Sequence, residues 1–279
     1  MESRTKKLIA GAVVVGSAAL LVWLMAMRPP LEAEFTAGAD SGAEAGIRVA
    51  VASNFAPALE ALAHAFEAQT GHVVTPVPGS TGKLYAQIRN GAPFDAFFAA
   101  DVERPRLLEE EGRAVPGTRF TYAIGTLVLW SPDPDLVDAD GAVLNPAEGD
   151  AGAFRFRFLA LANPTLAPYG KAAEQVLRAR GVWDALQDRM VRGENIGQAY
   201  QYVYSGNAEL GFVALSQLMG PGGVATDIGR TGSRWEPPQA LYDPIAQQAV
   251  LLTENKVARD FLDFVRSPAA RDIIHGYGY

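Results

Sequence analysis

The sequence contains no cysteine and only three histidines among its 279 residues. Without thiols the protein forms neither disulfides nor zinc–thiolate sites, and it has no N-terminal cysteine to carry a lipid. The histidines are His64, His72 and His275, and no two of them are at the spacing of metal ligands. A histidine-rich metal site is therefore not expected.

Positive charge is also scarce. The formal net charge is −7, and no run is rich in lysine or arginine. This balance argues against DNA, RNA or an anionic lipid surface as a partner. The hydrophobic content of 49% and the charged content of 20% are typical of a folded protein. A chain of this length can bury one large core or two modest ones.

One long uncharged apolar run is present, at residues 8–27, and Arg4, Lys6 and Lys7 precede it. Basic residues before such a run keep that end in the cytoplasm and send the rest of the chain across the membrane. About 20 apolar residues can span a bilayer, so the length favours an uncleaved anchor at 1–28 over a cleaved signal peptide. Residues 29–46 are rich in proline, glycine, alanine and acid, which predicts a flexible linker.

From residue 47 onward, short β-rich runs alternate with amphipathic segments. The run IRVAVA is followed by Leu59, Leu62, Ala63 and Phe66 at helical spacing. Further strands are predicted at 72–77, 94–100, 156–162 and 247–253, and further helices at 104–111, 171–181, 182–188 and 257–267. This alternation predicts an α/β protein with largely parallel sheets.

Four strand-to-helix junctions share small polar side chains or glycine. They are Ser53 with Asn54, and residues 79–82, 167–170 and 195–198. Helix starts expose backbone N–H groups and favour an anion, and in α/β sheets such loops meet where ligands bind. Each junction taken alone is explained by ordinary helix capping. The four together favour a shared pocket between two lobes.

The stretch PGSTGKL at residues 78–84 resembles a phosphate-binding loop but lacks two of its elements. A Walker loop needs glycine where Val77 stands, and serine or threonine where Leu84 stands. An exported protein also does not meet ATP as a normal substrate. Nucleotide binding is therefore not expected.

The predicted pocket is rich in hydrogen-bond donors and poor in acid. A fully ionised oxyanion only accepts hydrogen bonds, whereas hydrogen phosphate needs a local acceptor. The nearest acid in sequence is Glu194, and Lys83 is expected to face solvent. The donors are the side chains of Ser53, Asn54, Ser80 and Thr81 and the backbone N–H groups of Gly82, Tyr169, Gly170, Ile196 and Gly197.

Several longer segments resemble one protein family. They are VAVASNF, GSTGKLYAQIRNGAPFDAFFAAD, RFTYAIGTLVLWS, LANPTLAPYGKAA, ENIGQAY and ELGFVALSQ, in this order. They resemble the periplasmic molybdate-binding proteins, which capture substrate for molybdate ABC importers. The resemblance runs from about Ile47 to Ser216, with a similar tail to the end of the chain.

The resemblance implies a two-lobed type II periplasmic binding protein fold after the N-terminal hydrophobic helix, each lobe a mostly parallel sheet flanked by helices. Residues 47–123 with 235–279 would form the first lobe, and 124–234 the second. Some family members place a ligand-contacting tyrosine where Ala214 stands here. Carried over by position, the oxyanion contacts are Ser53, Asn54, Ser80, Thr81, Tyr169 and Ile196, the last two through backbone N–H.

The implied function is capture of molybdate or tungstate outside the cytoplasm and its delivery to an ABC permease, by a periplasmic monomer that the N-terminal helix tethers if uncleaved. Molybdenum would be held only as molybdate, with no direct protein–metal ligand, no cofactor and no catalysis. One alternative is a binding protein for another tetrahedral oxyanion such as sulfate. The other is an exported serine hydrolase using Ser53 or Ser80, although no G-x-S-x-G elbow is present.

Overall fold

The computed structural model describes residues 46–146 and 154–279. The predicted anchor at 1–28 and all but the last residue of the predicted linker at 29–46 lie outside the described residues. Within the described part of the chain, no helix is both long and apolar enough to cross a membrane.

The first sheet has five strands in the order β2-β1-β3-β10-β4. Strands β1, β2 and β3 are parallel, and β10 is antiparallel to both β3 and β4. The strands are β1 (Ile47–Ala52), β2 (Val74–Gly79), β3 (Ala96–Ala99), β4 (Phe120–Gly125) and β10 (Ile245–Leu251).

The second sheet also has five strands, in the order β7-β6-β8-β5-β9. Strand β6 is parallel to β7 and β8, whereas β5 is antiparallel to β8 and β9. The strands are β5 (Leu127–Ser131), β6 (Leu159–Ala162), β7 (Met190–Gly193), β8 (Leu210–Ala214) and β9 (Ser233–Trp235).

In each sheet four of the five strands run in the same direction and one is antiparallel, β10 in the first sheet and β5 in the second, so the prediction of mostly parallel sheets is confirmed. A parallel neighbour needs a crossover connection, usually a helix. Strand β5 follows β4 with only Thr126 between them, and β10 follows a return from the second sheet through residues 236–244. The antiparallel pairs therefore lie where the chain passes between the sheets.

Eight α-helices lie within the described residues. The segment 182–188, predicted as a helix, forms turns that lead into a 3-10 turn at Gln187–Arg189, because left-handed Gly181 closes the preceding helix and β7 begins at Met190. The helices are α1 (Ala56–Thr70), α2 (Thr81–Arg89), α3 (Glu103–Glu110), α4 (Pro168–Ala179), α5 (Ile196–Tyr204), α6 (Asp227–Thr231), α7 (Lys256–Val265) and α8 (Pro268–Gly276).

Each sheet forms a lobe with the helices that pack on it. Lobe 1 is the first sheet with α1, α2, α3, α7 and α8, and lobe 2 is the second sheet with α4 and α5. The lobes share apolar contacts, because Ala52 and Ala100 of lobe 1 belong to the same buried cluster as Tyr169 and Ile196 of lobe 2. Where the lobes meet, the ends of several strands and the starts of several helices lie close to one another.

Gly125 marks the first passage between the lobes. A Cβ at this position would clash with the hydroxyl oxygen of Tyr169 and lie 2.7 Å from Nε2 of Gln247. Only glycine leaves room for these buried side chains, so the passage is packed directly against the lobe interface.

Candidate functional site

A small cavity lies between the lobes, at the carboxyl ends of β1, β2 and β6. About 180 Å³ of space not filled by protein atoms lies here, part of it open to solvent. All six residues predicted as oxyanion contacts line it, so the structure brings the four junctions together. The lining residues are Ala52, Ser53, Asn54, Gly79, Ser80, Thr81, Ala100, Ala167, Pro168, Tyr169, Asn195 and Ile196.

Ser80 and Thr81 lie at the start of α2 with both side chains buried. Ser80 is the N-cap, and its Oγ accepts a hydrogen bond from the backbone N–H of Lys83 at 3.4 Å. Thr81 Oγ1 accepts from the backbone N–H of Ala100 at 3.1 Å. Neither hydroxyl donates to another described residue, so each keeps its proton for a ligand.

Ser53 follows β1 and links the two lobes. Its Oγ accepts a hydrogen bond from the backbone N–H of Gly197, in the first turn of α5, at 3.2 Å. A Cβ at Gly197 would lie 3.0 Å from Oδ1 of Asn195, which is tighter than an ordinary contact, and at van der Waals distance from the Cβ of Ser53. The Ser53 hydroxyl also has no acceptor among the described residues.

Asn54 is buried, and its side chain is engaged within the protein. Its Nδ2 donates to Oε1 of Gln247 at 2.7 Å and to the hydroxyl of Tyr279 at 3.0 Å. Both side-chain N–H atoms thus have acceptors within the protein, and the contact of Asn54 with an oxyanion stays a prediction. The backbone N–H of Asn54 has no acceptor among the described residues and is the donor that stays available.

The starts of α4 and α5 contribute backbone donors from lobe 2. Asn195 caps α5, because its Oδ1 accepts from the backbone N–H of Gln198 at 3.0 Å. The N–H groups of a helix's first turn have no acceptor within the helix. Tyr169 and Ile196 occupy such positions, and their N–H groups have no acceptor among the described residues outside their helices. The positive ends of both helix dipoles therefore meet at the cavity.

The cavity lining contains no charged side chain and no histidine. Lys83 and Glu194 lie outside it and form an ion pair between the lobes, with 2.6 Å between Nζ and Oε1. Their side chains are 53% and 33% exposed, so Lys83 is partly in solvent as expected. Burial raises the pKa of the Tyr169 hydroxyl well above its ordinary value, which keeps the hydroxyl neutral.

A buried polar network around Asn54 was not predicted from the sequence. Gln247 is fully buried, and its Nε2 donates to the hydroxyl of Tyr169 at 3.4 Å, while the hydroxyl of Tyr122 lies 3.1 Å from Gln247 Oε1. The register of β10 against β4 shifts between Gln247 and Gln248. Such an irregularity redirects a side chain. We call this set the Asn54 network, and it consists of Asn54, Tyr122, Tyr169, Ser216, Gln247 and Tyr279.

Ala214, where some members of the resembling family have a tyrosine, is fully buried on β8 and does not line the cavity. Its backbone N–H donates to Oε1 of Gln217 at 2.9 Å. Across the described residues, no group of three or more histidine, cysteine, aspartate or glutamate side chains could hold a metal ion.

Residues 47–279 match the family described as bacterial extracellular solute-binding protein. The chain belongs to this family. The described part of this solute-binding protein has the two lobes and the interlobe cavity that the periplasmic binding protein fold predicts, so that prediction is confirmed.

Two curated relatives are similar over most of the solute-binding protein. The molybdate-binding protein ModA of Azotobacter vinelandii is 47% identical over 238 residues, which cover 84% of this chain and 90% of that protein. The molybdate-binding protein ModA of Rhodobacter capsulatus is 46% identical over 233 residues, covering 82% and 86%. Both relatives are named as binding proteins.

A solved structure is similar to this solute-binding protein in fold as well as in sequence. The periplasmic molybdate-binding protein of Azotobacter vinelandii has a TM-score of 0.76 and 44% identity, and the match covers 84% of this chain and 98% of that one.

Proposed function

We propose that this solute-binding protein captures molybdate, or the similar tungstate dianion, outside the cytoplasm and delivers it to an ABC importer. The observation that carries the proposal is an interlobe cavity lined by neutral hydrogen-bond donors at helix starts, without a carboxylate or a cation. Two relatives named for molybdate binding, at 47% and 46% identity, support this choice of anion.

The donors fit a fully ionised tetrahedral oxyanion. The hydroxyls of Ser53, Ser80 and Thr81 and the backbone N–H groups of Tyr169 and Ile196 present protons that a dianion accepts. Two helix dipoles supply favourable potential without a buried lysine or arginine. A protonated anion such as hydrogen phosphate needs an acceptor, and no carboxylate lines the cavity. The site therefore favours molybdate over hydrogen phosphate.

Ligand binding would stabilise contact between the lobes. The backbone N–H of Gly82 in lobe 1 donates to the carbonyl of Leu166 in lobe 2 at 2.9 Å, and the backbone N–H of Gly197 in lobe 2 donates to Oγ of Ser53 in lobe 1 at 3.2 Å. An anion that contacts both lobes binds the closed form better and shifts the population toward it. In this proposal, one rigid body consists of residues 47–123 and 235–279. The other consists of residues 124–234, and the two move relative to each other.

The proposal places the protein in the periplasm as a monomer that partners with an ABC permease. Residues 1–28 would tether it to the inner membrane, which raises its effective concentration beside the permease. Sequencing the N-terminus of the mature protein tests the tether. Retention of the first residues supports it, and a start after residue 28 would contradict it.

An exported serine hydrolase is not supported by the geometry. Serine catalysis needs a positioned base. The lining around Ser53 and Ser80 has no histidine and no acid, and the Oγ atoms of these serines accept backbone N–H groups. Molybdate or tungstate would be a transported ligand and not a cofactor.

A thermal-shift titration with molybdate, tungstate, sulfate and phosphate tests the proposed function. A ligand that binds only the folded state stabilises it by about 2.7 kcal/mol at a hundredfold excess over its Kd. We expect a large rise in Tm with molybdate and tungstate and little change with the other two. A rise with sulfate alone would mean that the scaffold serves a different oxyanion.

A further inference from the structure

We propose that Tyr279, the last residue of the chain, is a positioning residue for the anion site. It fixes Asn54 and joins it to lobe 2 when the lobes are together. This inference rests on the proposed function, because it assumes that Asn54 borders a bound oxyanion. Nothing in the C-terminal sequence GYGY indicates such a role.

The hydroxyl of Tyr279 lies at the centre of three hydrogen bonds. It is 2.8 Å from the backbone carbonyl oxygen of Asn54, 3.0 Å from Nδ2 of Asn54 and 3.0 Å from Oγ of Ser216. Ser216 Oγ in turn lies 3.1 Å from the same Asn54 carbonyl. Tyr279 therefore contacts both the side chain and the backbone carbonyl of Asn54, which fixes the residue whose own backbone N–H has no acceptor among the described residues.

These hydrogen bonds connect the two lobes. Asn54 follows β1 of lobe 1, whereas Ser216 follows β8 of lobe 2. The C-terminal segment approaches lobe 2 closely, since a Cβ at Gly276 would lie 3.2 Å from the backbone nitrogen of Gly222. Gly278 has a φ of 83°, a conformation that favours glycine, and it turns the chain so that Tyr279 reaches inward.

The tyrosine ring is held independently of its hydroxyl. It packs edge-on against Phe55 of the lobe 1 core, with 5.4 Å between the ring centroids. Burial raises the pKa of the Tyr279 hydroxyl far above its ordinary value, so the group stays a neutral donor at physiological pH. Removing the oxygen alone thus leaves the ring contact and deletes the connection to Asn54 and Ser216.

The test compares Tyr279→Phe with Tyr277→Phe in the full chain. Tyr277 is a matched control because it lies in the same segment and packs on the same core, outside the Asn54 network. We expect Tyr279→Phe to weaken molybdate binding about tenfold by calorimetry and to speed ligand release in stopped flow. The Tm of the ligand-free protein should change little, and Tyr277→Phe should bind as wild type does.

A second variant, Ser216→Ala, separates lobe closure from local stability. If the hydroxyls of Tyr279 and Ser216 act together in the closed form, the two losses of molybdate affinity are not additive. The double variant should then lose about as much affinity as the more affected single variant. Wild-type affinity in Tyr279→Phe, or a loss of ligand-free Tm without a loss of affinity, would overturn the inference. A wild-type protein that binds none of the four anions would contradict the proposed function itself, and this inference with it.

Discussion

Single hydroxyl groups carry most of the donor capacity that lobe 1 presents to the cavity. Ser53, Ser80 and Thr81 each accept a backbone N–H, which orients the oxygen and leaves its proton available. Each hydroxyl oxygen thus accepts a hydrogen bond from the protein, and its proton remains available to donate to an anion. The same three residues would be poor ligands for a cation, which needs their lone pairs.

Thr81→Val tests one such donor, because valine keeps the shape and removes the hydroxyl. A hydrogen bond to a charged group contributes about 1.5–3 kcal/mol. We therefore expect molybdate affinity, measured by calorimetry, to fall roughly ten- to a hundredfold. Thr70→Val is the matched control, since Thr70 lies at the distant end of α1 and donates to its own helix at 2.8 Å. Equal affinity of Thr81→Val and wild type would remove Thr81 from the site.

The titration behaviour of the buried tyrosines predicts that molybdate affinity does not change with pH around neutrality. Burial raises the pKa of Tyr122, Tyr169 and Tyr279 above the ordinary value of 10.0. Because the pKa of each tyrosine is higher in the folded than in the unfolded state, its contribution to stability is fully present below pH 10. That contribution is lost only as the pH rises above 10. Molybdate affinity, measured by calorimetry, should therefore be constant from about pH 6 to pH 9. A step in affinity inside that window would reveal a titrating group in the site that the structure does not place there.

The proposed anion site is formed mainly by residues at the starts of helices. The junctions before α2, α4 and α5 could be predicted, because small polar residues and glycine follow β-rich runs at regular intervals. The failed helix at 182–188 shows the limit of that approach, since local apolar spacing does not reveal that Gly181 and β7 leave it no room. The mostly parallel direction of the strands was predicted, but the sequence did not identify β5 and β10 as the antiparallel ones, because their direction depends on where the chain passes between the lobes.

Gly82→Ala separates the stability of α2 from closure of the lobes. Alanine stabilises a helix interior by roughly 0.5–1 kcal/mol relative to glycine, and the gain is smaller at Gly82 because it is the second residue of α2. A Cβ at Gly82 would, however, lie 2.9 Å from the carbonyl oxygen of Leu166 in lobe 2, too close for the lobes to meet as they do. We expect the Tm of the ligand-free protein to hold or rise while molybdate affinity falls about tenfold or more. A fall in both the ligand-free Tm and the molybdate affinity would contradict this expectation.

At the scale of the whole molecule, the site depends on residues far apart in the chain. Gln247 and Tyr279 hold Asn54 from 193 and 225 positions away. No local pattern in the sequence marks them as partners, whereas the residues that line the cavity sit on recognisable junctions. Sequence therefore predicts the groups that would face the ligand better than the groups that support them.

Closure of the two lobes predicts a change in overall size. Molybdate that contacts both lobes favours their contact, so small-angle scattering should show a smaller radius of gyration when the anion is added. Sulfate at the same concentration is expected to have little effect. An unchanged radius together with tight molybdate binding would mean that the lobes are already fully closed without ligand.

A crystal structure of the protein with molybdate, in which the anomalous scattering of molybdenum locates the ion, would show directly where the anion binds. We predict a single strong peak between the lobes, with oxygens within hydrogen-bond distance of Ser53, Ser80 and Thr81 and of the backbone N–H groups of Tyr169 and Ile196. A peak outside the interlobe cavity, or none at saturating molybdate, would mean that this cavity is not the oxyanion site.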